Sequence, residues 1–277
     1  MTVAEALREA AQRLAATSDT ARLDAELLLA HSLGVSRSDL LLRHMVDEVP
    51  PAFSALVERR LGHEPLAYIT GTQEFFGRPF QVSPAVLIPR ADSESVVLAA
   101  LEAVPAPDRV LDCGTGSGAL LLTVLAECPA ATGVGIDRSD GALTVAQANA
   151  DALGLADRAR LLAADWHRQG WSENLGQFDM ILANPPYVEA GALLDPTVRD
   201  FEPGEALFAG PEGLDDYRVL IPQFPALLAP GGVAVLEIGY TQAAAVSLIA
   251  AEAGFASTVR HDLAGRPRAL GLRTMGN

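Results

Sequence analysis

The chain has 277 residues, 49% of them apolar and 20% charged, and its acids outnumber its bases 35 to 20 for a formal net charge of −15. That length suits two domains with a sizeable core, yet no apolar run approaches the about 20 residues of a membrane helix, and the opening Met1-Thr2-Val3-Ala4-Glu5 lacks the basic segment of a secretory signal. The acidic balance disfavours gripping free nucleic acid as the main task, and two cysteines outside any CxxC pair, Cys113 and Cys128, fit a reducing cytoplasm rather than a disulfide framework.

Residues 1–64 read as a helical bundle. Between Ala4 and Leu14 apolar residues recur at three- and four-residue spacing. Ser18 or Asp19 is expected to cap a second helix through Leu23, Leu27, Leu28 and Ala30, which stops at Gly34. Ser36 is expected to cap a third helix ending near Arg43. Pro50-Pro51 would open a fourth with Leu56, Val57 and Leu61 on one side, closed by Gly62 and Pro65. Residues 65–90 change character. Tyr68, Ile69, Phe75, Phe76, Phe80 and Val82 alternate loosely around Gly71, Gly77 and Pro79, the pattern of a β-hairpin joining two domains.

From 91 to 277 strands and helices alternate. The expected strands are Arg109–Asp112, Gly133–Asp137, Ala159–Ala163, Phe178–Ala183, Gly232–Ile238, Thr258–Asp262 and Ala269–Arg273. This order predicts an α/β domain with a mostly parallel, Rossmann-like seven-stranded sheet covered on both faces.

Two turns in this domain carry chemistry. The first expected strand runs into Gly114-Thr115-Gly116-Ser117-Gly118, with a helix starting near Ala119. Glycines there allow a tight turn and close approach of a ligand to the backbone. About 20 residues later the second strand ends in Asp137, placed to bind ribose hydroxyls. The loop alone satisfies the dinucleotide fingerprint too, so it leaves NAD and S-adenosylmethionine both open. Asp165 and Trp166 follow the third strand, where they either border an adenine ring or anchor a loop. Cys113 reads as a small buried strand residue.

The fourth strand ends in Asn184-Pro185-Pro186-Tyr187, the most specific feature of the chain. Ligands of open α/β sheets bind beyond the carboxyl ends of the strands, so Asn184 is expected to face the crevice of the glycine turn. A planar –NH2 group has two N–H donors and a delocalised lone pair, and is a poor nucleophile. The Asn184 side-chain oxygen and the Pro185 carbonyl are two acceptors able to orient it. Prolines bring a fixed φ and no competing N–H, and Tyr187 is expected to pack on the planar group and exclude water. Positioning would supply much of the rate.

At these residues the sequence resembles the bacterial release-factor glutamine methyltransferases, the HemK/PrmC family, over nearly its whole length. Asp24-Ala25-Glu26-Leu27-Leu28-Leu29-Ala30-His31 looks like the family's helical domain. Pro65-Leu66-Ala67-Tyr68-Ile69-Thr70-Gly71 and Glu74-Phe75-Phe76-Gly77 are similar to its hairpin. Leu87-Ile88-Pro89-Arg90 with Asp92-Ser93-Glu94 is like the entry to its catalytic domain. Phe201-Glu202-Pro203, Ala206-Leu207, Gly213-Leu214 and Tyr217 match the segment after the catalytic loop. The resemblance implies S-adenosylmethionine as cofactor, lined by residues 114–118, Asp137, Trp166 and Asn184. It implies a substrate glutamine, in the Gly-Gly-Gln motif of class I peptide chain release factors, held by Asn184 to Tyr187 and methylated at its side-chain nitrogen. It also implies that the N-terminal bundle docks the release factor. Ala91, Ser93 and Cys113 depart from the family pattern.

The Asn-Pro-Pro-Tyr motif is shared with adenine-N6 methyltransferases of DNA or RNA, against which stand the acidic balance and the lack of a basic reading domain. A ribosomal-protein glutamine methyltransferase is a further alternative. An NAD-dependent oxidoreductase fits the glycine turn but leaves Asn184 and the two prolines unexplained, and a non-catalytic binding protein needs neither. The five histidines (31, 44, 63, 167 and 261) are scattered, so no metal is expected. A cytoplasmic location is expected, and nothing in the sequence demands more than a monomer.

Overall fold

The computed structural model of the chain describes residues 1–275; positions 276 and 277, the end of the expected 91–277 domain, lie outside the described residues. The chain divides into two compact units. One is Met1–Thr72 with Leu194–Phe201, and the other is Gln73–Leu193 with the described residues from Glu202 onward.

The first unit is helical. Helix α1 (Val3–Leu14) starts in a capping box, with the Thr2 hydroxyl and the Glu5 carboxylate each accepting the other's backbone N–H. Helix α2 (Ala21–Leu33) ends at Gly34, which takes the left-handed φ of 68°. Ser36 caps α3 (Arg37–Arg43), accepting from the Asp39 N–H at 3.0 Å. Helix α4 (Phe53–Leu61) follows the Pro50-Pro51 pair. Leu7, Leu14, Leu28, Leu29 and Leu40 are fully buried between these helices, each adding roughly 1.5–3 kcal/mol of hydrophobic stabilisation. Eight residues from much later in the chain, Leu194–Phe201, belong to this unit and include the short α-helical turn at Pro196–Arg199.

Two local expectations change. Neither Ser18 nor Asp19 caps α2; its N-cap is Thr20, without a side-chain cap bond. The Ser18 and Thr20 hydroxyls instead donate to Asp24, each at 2.8 Å, and Arg60 Nε adds a third bond at 2.8 Å. A buried carboxylate needs such partners, and it recruits the hydroxyls away from the helix end. Tyr68 and Ile69 are not extended: they lie in α5 (Leu66–Thr70), between Pro65 and Gly71. The hairpin is therefore shorter than expected, β1 (Thr72–Phe75) and β2 (Arg78–Gln81). Its two turn residues, Phe76 and Gly77, both have positive φ (52° and 71°), as a tight hairpin turn demands. The Phe76 N–H is held by the Glu94 carboxylate at 2.9 Å.

The second unit continues with α6 (Glu94–Ala103), β3 (Arg109–Cys113), α7 (Ala119–Glu127), β4 (Thr132–Asp137), α8 (Asp140–Ala152), β5 (Ala159–Ala163) and β6 (Phe178–Ala183). After α9 (Pro196–Arg199) of the first unit come α10 (Asp215–Leu220), α11 (Phe224–Leu227), β7 (Leu228–Glu237), α12 (Ala243–Glu252), β8 (Phe255–His261) and β9 (Pro267–Thr274). All seven expected strands form one sheet, in the order β5-β4-β3-β6-β7-β9-β8. Its pairs are parallel from β5 to β7, and β9 runs antiparallel to both of its neighbours. Alternate residues face opposite layers: Val110 and Met180 one way, Leu111 and Ile181 the other. Both faces of the central strands are covered, which is why β3, β6 and the end of β7 read as continuous apolar runs.

The chain runs outward through β3, β4 and β5, then returns to place β6 on the other side of β3. That reversal opens a crevice at the carboxyl ends of β3 and β6. Helix α7, which leads away from it, lies very close to the sheet. A Cβ on Gly133 of β4 would stand 2.5 Å from Leu121 Cδ1. Gly133→Val is expected to destabilise the protein by about 1–3 kcal/mol through overpacking, read as a lower midpoint in urea denaturation with an unchanged slope.

Candidate active site

Strands β3 and β6 pair in parallel with Cys113 opposite Ala183. The glycine turn leaving β3 and Asn184 leaving β6 therefore start side by side. On the other flank of β3, β4 ends at Asp137.

Backbone bonds hold the glycine turn in shape. The N–H groups of Gly114 and Thr115 both donate to the Ile136 carbonyl, at 2.9 and 2.8 Å. The Asp137 carboxylate accepts from the Gly116 N–H and the Ser139 N–H, each at 2.9 Å. Gly114 has a φ of 76°, and a Cβ there would lie 3.0 Å from the Trp166 ring. Asn149, 1% exposed, donates to the carbonyls of Ser117 (2.8 Å) and Gln81 (3.0 Å) and accepts from the Gln81 N–H. One buried amide thus stitches the hairpin to the glycine turn.

Trp166 is fixed from behind. Its indole N–H donates to Asp216 Oδ1 at 2.9 Å, and His167 Nε2 lies 3.0 Å from the same oxygen. Asn184 is half-buried, and its side chain makes no hydrogen bond among the described residues.

These groups line one cavity with about 1020 Å³ of empty space, part of it open to solvent. Gly114, Thr115, Gly116, Ser117, Asp137, Asp165, Trp166, Asn184 and Pro186 border it, with Phe75, Val86, Ile88 and Leu120 as apolar wall. Two arginines mark its rim. Arg90 pairs with the buried Glu202, which also accepts from the Ile88 N–H, and Arg138 pairs with Glu205. Of the two departures from the family pattern in this stretch, Ser93 is buried and lines the cavity, and Ala91 is exposed.

Three residues expected at the site lie off this cavity. Gly118 is buried, and its positive φ of 82° turns the chain into α7 against Leu122. Pro185 is buried, and its carbonyl accepts no hydrogen bond among the described residues. Tyr187 does not face the cavity: its hydroxyl donates to Glu237 Oε1 at 3.0 Å, and burial, reinforced by the nearby Glu237 charge, pushes its phenol up. Asn149, Asp216 and Glu237 escaped the sequence reading, and Glu202 entered it only within the Phe201-Glu202-Pro203 match, with no role assigned. Asn149 left a trace, a polar residue on the buried stripe of Ala142, Ala146 and Ala150; Glu237 left another, an acid ending an apolar strand. Among the described residues no group of three His, Cys, Asp or Glu side chains is arranged to hold a metal ion, and no helix is long and apolar enough to cross a membrane.

Beneath the turn, Thr115 donates its hydroxyl to Asp112 at 2.7 Å. Burial pushes the Asp112 carboxyl up to about 7; the Thr115 hydroxyl opposes the rise and the Asp137 charge adds to it. The folded chain thus holds a proton that an unfolded aspartate releases near pH ~3.9. This contribution to stability is full below about pH 4 and is lost as the pH rises through about 7. Asp112→Asn is expected to flatten that loss, measured as a smaller fall in urea-denaturation free energy between about pH 5 and about pH 8 than in the parent protein.

Two families match the chain: the PrmC N-terminal domain over residues 5–71 and the methyltransferase small domain over residues 89–201. A release factor glutamine methyltransferase of Cereibacter sphaeroides is 43% identical over 281 residues, covering 99% of both chains. One of Moorella thermoacetica is 44% identical over 279 residues, covering 97% of both. Among solved structures, a ribosomal protein L11 methylase from Lactobacillus delbrueckii subsp. bulgaricus is 23% identical and shares the fold, with a TM-score of 0.50 over 74% of this chain and 90% of that one. With an N-terminal helical unit, a seven-stranded methyltransferase sheet and full-length relatives at this identity, the chain belongs to the release factor glutamine methyltransferase family.

Proposed function

We propose that this protein transfers a methyl group from S-adenosylmethionine to the side-chain amide nitrogen (N5) of the glutamine in the Gly-Gly-Gln motif of class I peptide chain release factors. Asn184 carries the reading: an amide with no internal partner, beside a glycine turn and in the same cavity. The cavity residues fit the cofactor. At Gly116 a Cβ would meet nothing within 4 Å, so the turn leaves open space where a ligand lies against backbone. Asp137 ends β4 at the ribose position of such folds. Residues 114–118, Asp137, Trp166 and Asn184 would hold S-adenosylmethionine. When bound, it supplies an electrophilic methyl on a sulfonium.

The protein's own groups do the rest. Asn184 Oδ1 and the Pro185 carbonyl accept the two amide hydrogens and orient the nitrogen. Pro185 and Pro186 keep the acceptors rigid and add no competing donor. Phe75, Val86, Ile88 and Leu120 keep water from the reacting atoms. No strong base is needed beside the nitrogen, since its proton becomes acidic only as the new bond forms. A flipped adenine would be gripped by stacking, and Tyr187 of the motif lies off the cavity, which favours the amide. The helical unit, residues 1–72 with 194–201, docks the release factor, and the other unit, which holds the hairpin and the cavity, carries the catalysis. The protein works as a cytoplasmic monomer, without metal, membrane or direct nucleic-acid contact.

The test pairs methyl-labelled S-adenosylmethionine with a release factor and with the same factor carrying alanine for its Gly-Gly-Gln glutamine. Label is expected on the first alone. Asn184→Ala is expected to lose roughly 10²-fold or more in turnover and still bind the cofactor in calorimetry. Cofactor binding with no label on either factor overturns the substrate.

A further inference from the structure

Tyr187 is held at both ends. Its hydroxyl donates to Glu237 Oε1 and its carbonyl accepts from Gln242 Nε2, each at 3.0 Å. Both partners belong to one stretch of chain, the end of β7 and the turn into α12. Gln242 is locked in orientation. Its Oε1 accepts from the Gly239 N–H at 3.0 Å, and its Nε2 also reaches the Gly213 carbonyl at 3.1 Å. Glu237 is 1% exposed, and the Tyr217 hydroxyl pins its backbone carbonyl at 2.8 Å. Gly213 closes the arrangement: a Cβ there would lie 2.2 Å from the Tyr187 carbonyl oxygen.

Packing alone does not ask for this. A buried carboxylate costs more than an apolar side chain of the same size, and β7 is already paired on both sides by β6 and β9. Between Tyr187 and Asn184 stand only Pro185 and Pro186, whose φ angles are fixed. A shift at Tyr187 therefore passes along a stiff segment to Asn184 with little to absorb it.

The geometry points to Glu237 and Gln242 as positioning residues for methyl transfer, clamping Tyr187 so that Asn184 and Pro185 meet the substrate amide at the right place. The inference rests on the glutamine reading above and adds to it the groups that aim the acceptors. Tyr187 is then an anchor of its loop and not a lid on the substrate.

The test uses the full-length protein, labelled S-adenosylmethionine and a release factor. Tyr187→Phe removes only the hydroxyl. Gln242→Glu keeps the shape and turns the donor into an acceptor facing a carbonyl. Each is expected to lower kcat by about 10- to 100-fold, with the Kd for S-adenosylmethionine within about twofold of the parent, since the glycine turn is untouched. The double variant Tyr187→Phe with Glu237→Gln removes the hydroxyl and the charge yet leaves an amide for the buried Ser93, which keeps urea stability near the parent value; kcat is expected to stay low. Recovery of kcat together with stability would mean that the clamp is structural only, and overturns the inference. So does a kcat within about twofold of the parent in both single variants. If the parent protein labels no release factor, the glutamine reading falls and the clamp's role in it falls too; if the parent labels it and the variants do so equally, only the clamp falls.

Discussion

Parallel hydrogen bonding between β3 and β6, with Cys113 opposite Ala183, is the constraint from which the site follows. A slip of one residue would move Asn184 by roughly 3.3 Å and turn every side chain of β6 to the opposite face. Met180 and Leu182 would then leave the layer under α6 and α7, and Ile181 would leave the layer under α10 and α11. The apolar cores on both faces of the sheet therefore hold the register, and the register sets Asn184 beside the glycine turn. Hydrophobic burial far from the cavity and the chemistry proposed within it are coupled through a single strand pair.

Around that pair, buried polar groups do what apolar packing cannot, which is to fix loops in one conformation. Asp137 holds two backbone N–H groups of the turns on either side of it, Asn149 ties the hairpin to the glycine turn, and Asp216 sets the plane of Trp166. Each such group loses its water on burial and regains the loss only if its partners are all in place. The loops are thereby stiff before any ligand arrives. Asn184 stands out against this background: it reaches the cavity with both ends of its amide free for a substrate or cofactor.

Much of this was legible in the sequence. Ser36 and Gly34 mark helix ends because caps act on backbone groups within a few residues. The central strands β3, β6 and β7 announce themselves as apolar runs because both their faces are covered. Asp24 shows where such reading stops. Its burial near Arg60, 36 residues away, draws Ser18 and Thr20 into a polar cluster and leaves α2 without a side-chain cap. Tyr68 and Ile69 have the composition of a strand, yet Pro65 and Gly71 bracket a single helical turn whose buried face joins the helical unit.

The sequence by itself determined the first four helices, the seven strands of the sheet and their order, the glycine turn and the placing of Asn184 at a strand end, since each depends on neighbours along the chain. Which way the important side chains point was decided only by the tertiary structure. Tyr187 meets Glu237 across 50 residues, Trp166 meets Asp216 across 50, and Asn149 meets Gln81 across 68. Local preference leaves a half-buried tyrosine several rotamers of similar energy. A buried acceptor brought alongside by the sheet selects one of them, because leaving either partner unpaired in the interior costs about 1–3 kcal/mol.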